Sequence, residues 1–206
     1  MKPVCTLVSS IALILSAFAL QTSSPVPAPN RTAAQLKTEL RTLAAVAERI
    51  AQAPTNEEKA RGWLELNRQA KKFGDEMNVA FPHITVKGDK IFPPQAQQLA
   101  QAATSYGVRV DFCEMGGNWA ADNQGYLKYL ELWPAGPEAD EATWMGPMGN
   151  ASFCGDFEGS VEELKETIAL HNQFLERFPN SRFAAQAKEE LTQSQEQLAQ
   201  TLKSAH

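Results

Sequence analysis

The chain has 206 residues, 19 of them basic and 24 acidic, for a formal charge of −5. That length suits one ordinary domain, with or without a tail. The acidic balance argues against a protein held on nucleic acid or anionic lipid by a general positive field. Three cysteines and three histidines are too few for a multi-cluster metal protein.

Residues 1–19 read as a secretory signal peptide. Lys2 is the only charge before Arg31, and fourteen of residues 1–20 are apolar. Ala17-Phe18-Ala19 ends the apolar run in the small-x-small pattern of a cleavage site, so cleavage is expected after Ala19 or nearby. An uncleaved anchor is the competing reading. It is disfavoured because a span needs about 20 strongly apolar residues, and Thr6, Ser9, Ser10 and Ser16 interrupt this run. A lipid-anchored chain would carry its acceptor cysteine after the apolar run, whereas Cys5 stands near its start. Residues 20–30, with three prolines and no charge, read as an extended tether. Cleavage would remove Lys2 and no acid, leaving 18 bases against 24 acids.

Loss of Cys5 would leave Cys113 and Cys154. An even count in an oxidising compartment reads as one disulfide, and closing that loop would stabilise the fold by roughly 4 kcal/mol in the chain-entropy model. Two separate buried thiols are the alternative. A catalytic thiol with His171 as base has no local support.

The next segments are helical. Thr32-Ala33-Ala34-Gln35 forms a capping box, followed by Leu36, Leu40, Leu43, Ala47 and Ile50 on one helical face. Pro54 ends that helix, and Thr55-Asn56-Glu57-Glu58 caps a second one carrying Trp63, Leu66, Ala70, Phe73 and Met77. An antiparallel pair with a tight turn at 53–55 is the simplest arrangement. Gly88-Asp89 between Ile84-Thr85-Val86 and Lys90-Ile91-Phe92 allows a small hairpin near 84–92 or a plain loop. Pro93-Pro94 starts a short helix with Ala96, Leu99, Ala100 and Ala103, which Gly107 stops. Val108-Arg109-Val110 fits either a strand or a kinked helical continuation. Gly116-Gly117 reads as a turn leading into the next helix.

The last eighty residues repeat themselves. Tyr129-Leu130-Glu131-Leu132-Trp133-Pro134 matches Phe174-Leu175-Glu176-Arg177-Phe178-Pro179 at an offset of 45, and Ala139 and Ala142 fall on Ala184 and Ala187. Self-similarity at such a period marks a stacked helical array. Aromatic and leucine residues pack the first helix of each unit, proline stops it, and the alanines let the second helix approach closely.

The pattern Phe174-Leu175-x-x-Phe178-Pro179-x-Ser181, followed by Ala184, Ala187 and Leu191, resembles the tetratricopeptide-type repeats of bacterial envelope proteins. These include outer-membrane assembly lipoproteins and periplasmic coordinators of cell division. The resemblance covers about residues 123–204 and implies an α-solenoid whose concave face holds a partner's peptide or helix. The period is 45 because Pro147–Gly159 inserts a cysteine-bearing loop between the units.

No enzyme signature is present: there is no nucleophile elbow, H-E-x-x-H or P-loop. His171 lies between Ile168 and Leu175 on a helix and reads as a core or core-edge residue. Asp111 and Glu114 flank one cysteine, and Asp156 and Glu158 the other. Paired carboxylates can do acid–base work or bind calcium, but neither frame is present and a solvated acidic loop is the default. Trp144 falls opposite Glu189, a solvent position, and Trp119 sits in a Gly/Asn-rich segment. Exposed aromatics anchor partners; the alternative is that both pack beneath the loop.

The expected fold is mainly all-α: a short α-solenoid of helical hairpins, with a signal peptide (1–19), a tether (20–30), an N-terminal helical region (31–110) and tetratricopeptide-like repeats with the cysteine-bearing loop (111–206). The expected function is non-catalytic docking of a protein or peptide partner in the periplasm or outside the cell, without cofactor, metal, nucleic acid or a membrane span after cleavage. The competing reading is an envelope enzyme or glycan-binding protein with its site at the Cys113/Cys154 loop, using Glu114, Asp156, Trp119 and Trp144. A structural helical protein without a specific ligand is the third.

Overall fold

The computed structural model describes residues 33–82, 84–86, 89–114, 116–148 and 159–204. The expected signal peptide and tether lie outside these residues, as do Cys154, Asp156 and Glu158.

Two antiparallel helices begin the described chain, α1 (Ala33–Gln52) and α2 (Asn56–Ala80). Thr55 caps α2 by accepting the Glu58 N–H at 3.2 Å. Leu36, Leu43, Val46 and Ile50 of α1 are buried, while Leu40 packs against the same cluster half-exposed. A Cβ at Gly62 would stand 2.5 Å from Ile50 Cγ1, so the close approach of the two helices needs glycine there.

The α2 helix buries more than one face. Leu66, Ala70, Phe73 and Met77 join the first core, whereas Ala60 and Leu64 belong to a second. The hairpin expected near 84–92 is present: β1 (Ile84–Val86) pairs antiparallel with β2 (Asp89–Ile91), with Thr85 opposite Lys90. Pro93 and Pro94 then open α3 (Pro94–Thr104), which buries Ala96, Leu99, Ala100 and Ala103. Gly107, at φ 103°, turns the chain away.

Val110 resolves as strand. β3 (Val110–Cys113) pairs antiparallel with β4 (Asn118–Ala121), Phe112 opposite Trp119. Gly116-Gly117, expected to lead straight into a helix, instead turns this second hairpin, with Gly117 at φ 67°. The reason is tertiary. Two asparagines of α2 hold the segment from outside. Asn78 takes both backbone groups of Trp119, accepting its N–H at 2.5 Å and donating to its carbonyl at 2.9 Å. Asn67 donates to Asp122 O at 2.9 Å and accepts the Gly125 N–H at 2.6 Å. Asn67 is wholly buried, and without these bonds the backbone groups it pairs would be stranded.

Four helices complete the described residues: α4 (Gln124–Leu132), α5 (Ala139–Thr143) continuing as a π-helical turn over Trp144–Met148, α6 (Val161–Arg177) and α7 (Ala184–Ser204). The fold is mainly helical with small antiparallel hairpins. α4 lies along α2, burying Tyr126 and Tyr129 with Ala60, Leu64, Ala139 and Ala142. A third cluster, Trp144, Phe174 and Ala187, joins the α6–α7 hairpin to the rest, and Met145 and Phe178 touch both the second and third clusters.

Candidate functional site

Two places can carry function: the stacked turns that join the C-terminal hairpins, and a cleft beside the β3–β4 hairpin.

The two turns are built alike at the spacing of 45. Trp133 N–H donates to Tyr129 O and Phe178 N–H to Phe174 O, both at 2.8 Å, closing α4 and α6. The Gly136 N–H then reaches Trp133 O at 3.0 Å, as Ser181 N–H reaches Phe178 O at 3.1 Å. Ala139 bonds to Gly136 O and Ala184 to Ser181 O, each at 3.0 Å. Ala142 and Ala187 are both fully buried, which lets the second helix of each pair sit close to the first. The helices differ in length. α4 and α5 have 9 and 5 residues, α6 and α7 have 17 and 21.

Polar side chains tie one turn to the other. Ser181 Oγ donates to Asp140 Oδ2 at 2.7 Å, and Arg177 donates to Pro134 O at 2.5 Å. Glu141 accepts from Arg182 at 2.6 Å and, bidentately, from Arg68 of α2 at 2.8 and 2.7 Å. This carboxylate raises the pKa of Arg68 above its ordinary value, chiefly through the hydrogen bond. The Trp144 and Phe183 rings stack at 5.5 Å. Beyond this junction α7 buries little: Glu189, Gln193, Glu196 and Gln197 are exposed, as is Leu202.

Trp144 is therefore a buried residue, 8% exposed, and its assignment to a solvent position opposite Glu189 is corrected. The spacing failed because α5 gives way to a π-helical turn at that residue, so the second helices of the two units no longer run in phase. His171 sits at the core edge as expected, buried, with Nδ1 2.7 Å from Thr167 O and Nε2 3.1 Å from Glu190 Oε2. Tyr129 accepts the Glu138 N–H and donates to Glu138 Oε2, both at 3.0 Å. Burial, more than any other cause, pushes its pKa up to about 12. Burial also raises Tyr126 and Asp122 and lowers Lys71.

The cleft lies between α3 and β3, with a volume of about 600 Å³. Phe92, Phe112 and Trp119 pack together there at centroid distances of 4.2 to 5.6 Å. Glu114 stands exposed at the rim, and Arg109 pairs with Asp111 at 2.7 Å. Trp119 is only 3% exposed, so it too packs rather than projecting into solvent. Its Nε1–H is buried with no hydrogen-bond partner among the described residues.

The expected site residues thus separate. Trp119 and Glu114 line the cleft, Trp144 belongs to the α6–α7 junction, and Asp156 lies outside the described residues. Cys113 is buried at the end of β3, where its Sγ accepts the Gly116 N–H at 3.2 Å. The expected disulfide partner, Cys154, is outside the described residues. Among the described residues no three His, Cys, Asp or Glu side chains are grouped to hold a metal ion. Sequence reasoning passed over Phe92, Gln97, Gln101 and Phe112. The alternation Val108-Arg109-Val110-Asp111-Phe112 is a readable strand signal, and it puts Phe112 on the face of Val108 and Val110, opposite that of Arg109 and Asp111.

These paired hairpins belong to a mainly helical protein. Residues 121–202, β4's last residue through most of α7, match the model of the YfiO family, described as outer membrane lipoprotein. That match supports an envelope-associated protein. Neither the curated proteins nor the solved structures contain a match. No helix among the described residues is long and apolar enough to cross a membrane.

Proposed function

We propose that the protein is a non-catalytic, tetratricopeptide-like helical-repeat protein of the bacterial envelope that docks a protein or peptide partner on its C-terminal hairpins. The observation carrying this reading is the pair of equivalent turns, 129–142 and 174–187, locked side by side through Asp140–Ser181 and Glu141–Arg182. Stacked helical hairpins create extended binding surfaces, and they leave the outer faces of terminal units uncovered. The family match over the same residues places the likeness in the envelope. Export by residues 1–19, the tether over 20–30 and a Cys113–Cys154 bond belong to this proposal.

The test is site-specific photo-crosslinking in cells, with the probe at exposed Gln193, Gln197 or Leu202 of α7 and at exposed Lys37 of α1 as control. The expected result is a discrete protein adduct from α7 positions and none from α1. Equal labelling from both, or none from either, overturns the docking role. Mass spectrometry of the unreduced protein tests export and pairing together: the expected chain begins at or near Leu20 and carries one intramolecular disulfide.

A further inference from the structure

We infer that the cleft between α3 and the β3–β4 hairpin is a binding site for a neutral carbohydrate. At about 600 Å³ it falls within the ordinary range for small-molecule sites. Its floor is aromatic: Phe92 and Phe112 are half-buried, with their centroids 4.2 Å apart and tilted by 51°. Such rings offer apolar faces to the C–H face of a sugar. Its wall is polar and uncharged: Gln97 and Gln101, one turn apart on α3, both line the cleft with exposed side chains. The i, i+4 spacing puts the two amides on one face. Each amide offers two donors and an acceptor, which suits hydroxyl groups.

The charges narrow the ligand. Arg109 is already engaged by Asp111 at 2.7 Å, and Glu114 adds a second carboxylate at the rim. Among the described lining residues one cation stands against two anions, which disfavours a phosphate, a carboxylate or an acidic peptide. A peptide adding itself as a third strand is also disfavoured, because side chains of the protein already occupy the edge of β3. Thr104 Oγ1 accepts the Val110 N–H at 3.0 Å, and its single proton is shared between Ala100 O at 3.0 Å and Val110 O at 3.2 Å. Asp111 Oδ1 accepts the Phe112 N–H at 2.8 Å. The N–H groups of Val110 and Phe112 are thereby taken, which disfavours recognition through main-chain pairing against recognition through stacking and side-chain amides. The site is separate from α6–α7, so it stands or falls independently of partner docking.

The experiment is a nuclear magnetic resonance titration of the protein in the form an expression host exports, with chitotriose, maltotriose and a trilysine peptide in parallel. The Trp119 indole N–H, packed edge-on against Phe92 and Phe112, serves as reporter. The expected result is saturable shifts of that indole and of the Gln97 and Gln101 side-chain amides with at least one trisaccharide. Affinity should fall by about tenfold or more in Gln101→Ala and in Phe112→Leu. Gln101 is exposed, so its variant keeps the fold. No saturable shift with either sugar, a response to trilysine alone, or undiminished binding by Gln101→Ala overturns the assignment.

Discussion

Asn67 shows how much one side chain can decide. Its amide pairs Asp122 O and the Gly125 N–H across sequence separations of 55 and 58 residues, and it does so at zero exposure. Removing it strands two backbone groups, at about 1–3 kcal/mol for each one left unsatisfied. Asn67→Ala is therefore expected to lower the urea midpoint sharply with little change in slope, and a loss under about 1 kcal/mol would contradict this role. Gly125 is the partner in that contact. A Cβ there would lie 2.5 Å from Trp63 O and 2.6 Å from Asn67 Cβ. Gly125→Ala should cost about 1–3 kcal/mol through overpacking, although alanine is the better helix former. A thermal scan in which the variant matches or exceeds the parent would refute the close approach of α2 and α4.

At the scale of elements, caps and turn clamps can be told apart by measurement. Ser160 and Glu163 form a reciprocal capping box at the start of α6, with bonds of 3.2 and 2.9 Å. Ser160→Ala should cost about 1 kcal/mol, read as a lower thermal midpoint. Glu141 instead joins three elements, binding Arg68 of α2 and Arg182 before α7 from the middle of α5. Both arginines are largely exposed, so a double-mutant cycle between Glu141 and Arg182 should give a coupling of about 0.2–1 kcal/mol. High salt should shrink it. A coupling of zero at low salt would show that the turns are held by packing alone.

The whole molecule carries a signature at alkaline pH. Burial raises Tyr129 to about 12 from an ordinary 10.0, and Tyr126 moves in the same direction. The fold thus prefers the neutral phenols. Their contribution is complete below the unfolded value near 10 and is lost as pH climbs through the folded one. The urea midpoint should fall between pH of about 10 and about 12, and Tyr129→Phe should flatten that fall. A parent and variant with the same profile across this window would remove Tyr129 as the cause.

Much of this architecture was legible beforehand because its causes are local. The cap at Thr55, the apolar ladder of α2 and the proline-stopped turns after Trp133 and Phe178 each depend on residues within a few positions of one another. A hydrogen bond four residues back, or a side chain on the same helical face, is written into the spacing. The equivalence of the two turns at 45 residues is local in the same sense, repeated twice. By itself, then, the amino-acid order determined that the chain is mainly helical, where α2 and α3 begin, and that two C-terminal turns share one pattern. Only the tertiary structure decided the rest: that Gly116-Gly117 turns a strand back on itself, that Trp119 and Trp144 are buried in different cores, and that Gln97, Gln101 and Phe112 line one cleft. Those outcomes rest on partners beyond the reach of a helical turn, such as Asn78 for Trp119 and Phe174 for Trp144, and no periodicity along the chain encodes which distant side chain will arrive.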